Sequence, residues 1–75
     1  MPQHEELFRL LPAEGDWISR YAAHAALEER LSVEIDGDAF DKCIWQLGER
    51  IVWSPHDNLL RRRLAEDRAL PRDII

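Results

Sequence analysis

Turn-forming residues divide this chain into pieces too short for more than one or two small elements each. Pro12-Ala13-Glu14-Gly15 and Asp36-Gly37-Asp38 break the first half, and Ser54-Pro55 and Leu70-Pro71 break the second. With 75 residues in all, the expectation is one small domain over residues 1–75, with residues 71–75 a short tail. A domain of this size buries only about 60–65% of the surface that its unfolded chain exposes. A deep cleft is hard to carve from it, so action through an outer surface is the natural expectation.

The pieces between the breaks read as helices. Leu7, Phe8 and Leu11 make a narrow stripe on a first helix from about Gln3 to Leu11, ended by Pro12. A second helix is expected from Asp16 as N-cap to about Arg30 or Ser32. Its two stripes, Ile18/Tyr21/Ala22/Ala25 and Trp17/His24/Leu27/Leu31, predict a helix sandwiched in the middle of the fold. The third helix carries the strongest signal. With Asp38 as N-cap it aligns Phe40, Cys43, Ile44, Leu47 and Ile51 on one apolar face. Ser54-Pro55-His56-Asp57 has the order of cap, first-turn proline and acid expected at the start of a fourth helix, anchored by Leu59, Leu60 and Leu64.

The predicted fold class is therefore all-α, a compact bundle of three to four short helices. Leu31, Val33 and Ile35 alternate with Ser32 and Glu34 in the period of a strand. The alternative is an α+β fold with a short strand near residues 31–35, paired with Arg50–Trp53.

Charge is segregated along the chain. Six acids and one arginine between Glu28 and Asp41 give a local net of −5, whereas six arginines between Arg50 and Arg72 face three acids. The acidic stretch suits steering towards a basic partner. Arg61, Arg62, Arg63 and Arg68 suggest the alternative of nucleic-acid binding. Against it, three consecutive helical residues point about 100° apart, and an overall charge of −5 opposes attraction to phosphates.

Catalytic and metal signals fail. Asp36-Gly37-Asp38-Ala39-Phe40-Asp41 lacks the glycine and glutamate that a calcium loop needs at its sixth and twelfth positions. His4, His24 and His56 do not pair at helical spacing, and Cys43 lies on the best apolar stripe, where a thiol is not activated. No cofactor, no metal and no catalysis are expected. No run of about 18–20 apolar residues exists for a membrane span. The opening Pro2-Gln3-His4-Glu5-Glu6 is acidic where a secretion signal is basic, and one cysteine fits a reducing compartment, so a cytoplasmic location is expected.

These observations favour a small acidic regulator, inhibitor or accessory subunit that binds another protein, with a homo-oligomer also possible. Trp17, Trp45 and Trp53 are many tryptophans for so short a chain, and tryptophan is enriched at binding hot spots. The expected partner-binding residues are Trp45, Val52 and Trp53 together with Glu34, Asp36 and Asp41.

Overall fold

The computed structural model describes residues 2–64. Three helices and a three-stranded antiparallel sheet follow one another as α1 (Gln3–Leu10), β1 (Ile18–Ser19), α2 (Arg20–Leu31), α3 (Gly37–Leu47), a single 3-10 turn (Gly48–Arg50), β2 (Ile51–Ser54) and β3 (Leu59–Arg62). The strand order is β1-β3-β2. The fold is α+β, and the expected all-α bundle is wrong.

The error lies in the fourth helix and in the end of the third, which stops at Leu47 and leaves Ile51 to β2. Ile51-Val52-Trp53 is a β-branched and aromatic run that packs well on a pleated surface. Ser54-Pro55-His56-Asp57 has the chemistry of a helix start, but the same residues suit a tight turn, where proline presets the backbone and Ser or Asp supplies a local acceptor. Here they form a hairpin loop in which Ser54 donates to Asp57 (3.2 Å) and Asn58 takes the left-handed conformation, φ 58°. Ile51 then pairs with Arg62 and Ser54 with Leu59. The stated α+β alternative had the class right and one of its two strand segments, since residues 50–53 largely coincide with β2, but that strand pairs with β3 and not with residues 31–35. Residues 31–35 form no strand, because Ser32 ends α2 and Ile35 is buried in the connection to α3.

Two helix starts also shift. α2 begins at Arg20 with Ser19 as its cap, accepting from the Ala22 N–H at 3.0 Å. The residues before it, Ile18–Ser19, join the sheet through Ile18↔Leu60 and Ser19↔Leu59. α3 is capped by Asp36, whose carboxylate accepts from the Ala39 N–H at 2.8 Å, and Asp38 falls in the first turn.

The core consists of Leu7, Leu11, Ala23, Leu27, Ile35, Phe40, Cys43, Ile44, Leu47, Ile51 and Leu60. α1 packs on both α2 and α3, so α1 and not α2 holds the centre of the helical layer. Of the two stripes foreseen on α2, only the side bearing Ala23 and Leu27 is buried, while Tyr21, Ala22 and Ala25 face outward. Among the described residues, no helix is long and apolar enough to cross a membrane.

Candidate functional site

Trp45 is the most exposed large hydrophobic side chain among the described residues, at 86% of its full exposure. Its position follows from helical geometry. α3 turns Phe40, Cys43, Ile44 and Leu47 into the core, and Trp45, one residue beyond Ile44, is rotated about 100° away from them. The helix stops at Gly48, which has φ 53° and ψ −122°, a conformation that side chains rarely adopt. Its N–H closes the last turn on the carbonyls of Ile44 and Trp45. The chain then reverses through the 3-10 turn, inserts Ile51 into the core and brings Trp53 alongside the end of α3.

The result is a groove open to solvent, of about 340 Å³, lined by Ile44, Trp45, Gly48, Ile51 and Trp53. The lining is mostly apolar, and the two indole N–H groups are its side-chain donors. The volume sits at the low end of ligand sites, about 300–1,000 Å³, and suits one bulky side chain better than an enclosed substrate. Trp45 and Trp53, singled out from sequence, meet here. Val52 does not, because the strand period turns it to the opposite sheet face beside Arg61. Ile44, Gly48 and Ile51 were not foreseen as site residues. A glycine directly after the apolar stripe of α3 was the available signal, as a helix stop.

The acidic stretch divides into structural and free members. Glu28 accepts from the Ile35 N–H at 2.8 Å, while His24 Nε2, stacked on Phe40 with ring centroids 4.6 Å apart, donates to the Ile35 carbonyl. Asp36 caps α3, and Asp41 pairs with Arg20. The side chains of Glu29, Glu34 and Asp38 are exposed and make no ion pair among the described residues. Of the three expected acidic site residues, Glu34 alone has no structural duty.

Two arginines of the alternative reading, Arg61 and Arg62, lie on β3 and not on a helix, so they alternate between sheet faces, and Arg63 follows directly after the strand. Arg61 lies over the Trp17 ring (5.0 Å). Arg62 lies over Phe8 (4.5 Å), donates to the Arg9 carbonyl (3.2 Å) and keeps a buried Nε without a hydrogen-bond partner. Arg63 donates from Nε to the Glu49 carbonyl (2.6 Å). Arg68 lies outside the described residues, as does the tail at residues 71–75.

No protein-family model matches the chain, and no curated protein or solved structure matches it either. Any functional reading therefore rests on its own chemistry. Cys43 is buried against α1, its thiol 3.8 Å from Gln3 Oε1, and burial pushes its pKa up. That is the opposite of what a nucleophile needs. Among the described residues, no group of three or more His, Cys, Asp or Glu side chains is placed to hold a metal ion.

Proposed function

We propose that this protein is a small acidic binding module that engages another protein through the Trp45–Trp53 groove, as a regulator, inhibitor or accessory subunit. One observation carries the reading: Trp45 stands 86% exposed on the rim of an apolar groove. Large exposed apolar side chains beside a groove mark interaction sites, and a tryptophan anchor in such a setting is a common hot spot. The partner is expected to offer an apolar side chain to the groove and basic residues around it, since the molecule carries a net charge of −5 and opposite potential steers encounter.

The test is quantitative capture from nuclease-treated native lysate, with the wild-type chain and the Trp45→Ala chain as parallel baits. A protein retained by the first and lost at least tenfold by the second supports the reading. Partners indifferent to Trp45, or binding that disappears with nuclease, overturn it.

The nucleic-acid alternative draws on Arg61, Arg62 and Arg63, but all three already spend donors on backbone carbonyls. The groove is the better supported of the two surfaces.

A further inference from the structure

The groove borders a strand whose outer edge is open. β2 pairs with β3 on one side, and among the described residues it has no neighbour on the other. The Arg63 N–H donates to the Arg50 carbonyl at 2.9 Å, and this bond sets the alternation of the ladder. Residues 50, 52 and 54 direct their backbone groups to β3, so Ile51 and Trp53 direct theirs away from it. The Ile51 N–H is taken by the Gly48 carbonyl. The Ile51 carbonyl and both backbone groups of Trp53 remain along the open edge, next to the groove that the same two side chains line.

The geometry points to strand addition: the partner presents an extended segment that pairs with the outer edge of β2 and sets an apolar side chain into the Trp45–Trp53 groove. This rests on the protein-binding reading above and specifies its mode. A residue placed opposite Trp53 in an added strand projects to the same sheet face as Trp53, which is the groove side. Main-chain pairing then gives the affinity and the groove gives the selectivity. Four residues of edge suit a short segment.

Charge selects a foreign strand over a second copy. Glu49 stands exposed just before β2 and Asp57 just after it. Two copies joined antiparallel through β2 bring Glu49 of each close to Asp57 of the other, like charge against like. A segment with its apolar anchor flanked by lysine or arginine meets both acids favourably.

A library of displayed random decapeptides, selected on the full chain and counter-selected on Trp45→Ala, supplies the probe. The expected winners carry one bulky apolar residue with basic residues to either side. Methylating alternate backbone amides of a winner should divide cleanly, one set weakening binding at least tenfold and the other leaving it within about twofold, because only alternate amides face β2. Amide exchange at Trp53 should slow at least tenfold on binding.

Winners whose affinity ignores the methylation pattern, or that bind as helices without protecting the Trp53 amide, overturn strand addition. So does a selection that returns no Trp45-dependent sequence, and so does protection of Trp53 that rises with protein concentration alone, which assigns the edge to a second copy. Lysate capture judges the protein-binding reading separately, since it requires no particular mode of contact.

Discussion

Ser32 adopts φ 55° and ψ 39° at the end of α2, with its N–H on the Glu29 carbonyl (3.3 Å) and the Val33 N–H on the Glu28 carbonyl (3.2 Å). This bonding pattern normally has glycine at its left-handed position. Ser32→Gly should relieve more strain than it adds in unfolded-state entropy, stabilising the fold by about 0.5 kcal/mol in urea titrations. At the other end of the fold, Arg50 forms a two-point pair with Glu5 at 2.6 and 3.1 Å. The hydrogen bond from Arg50 holds the Glu5 carboxyl below its ordinary 4.5. A depressed carboxyl contributes stability that is present above pH 4.5 and lost as pH falls through the lower, folded-state value. Glu5→Gln should therefore flatten the dependence of the unfolding midpoint on pH below about 4.5 and leave its slope near neutrality unchanged. Cys43 should react far more slowly with thiol reagents in the native state than in denaturant, and Cys43→Asp should cost roughly 3 kcal/mol or more by burying an unpaired carboxyl.

Among the elements, the hairpin offers the sharpest test, because the helix first expected there reverses the order of two substitutions. In the β2–β3 loop Asn58 needs φ 58°, and its carbonyl accepts from the Arg20 N–H at 2.8 Å, tying the loop to the start of α2. Asn58→Gly should be nearly neutral and Asn58→Val should cost about 1–2 kcal/mol, whereas on a helix glycine is the worse of the two. Urea midpoints for the pair decide it. α3 was legible in the sequence because Phe40, Cys43, Ile44 and Leu47 sit at helical spacing on one face, although the fifth member of the expected stripe, Ile51, belongs to β2. The hairpin was not, because Ser54-Pro55-x-Asp57 serves a helix start and a turn equally, and Leu59-Leu60 has no period of its own. The two groove tryptophans could be read as candidates from residue type alone. Their neighbours Ile44, Gly48 and Ile51 could not, since only the reversal at Gly48 brings β2 back against α3. The cap assignment also mattered: with Asp36 and not Asp38 on the N-terminus of α3, the acids free to face a partner change.

For the molecule as a whole, binding and folding should separate. Trp45→Ala removes an exposed side chain and should leave the unfolding midpoint within about 0.5 kcal/mol of wild type while sharply raising the dissociation rate from the captured partner. Glu34→Gln combined with Asp38→Asn should instead slow association and flatten its salt dependence, read by stopped-flow mixing at several ionic strengths. The sheet imposes its own condition on how the chain reaches this state. β1 comes from the start of α2, but its pairing strand β3 lies about 40 residues later, at Ile18↔Leu60, so the sheet is completed only by closing a large loop. α1, α2 and α3 can form from neighbouring residues, yet Ile18 and Trp53 have no shared strand until Leu60 arrives between them. Refolding should therefore pass through its slowest step late, when the last-made strand threads into the middle of the sheet, and a chain ending at Asp57 should lack the cooperative unfolding transition of the full length.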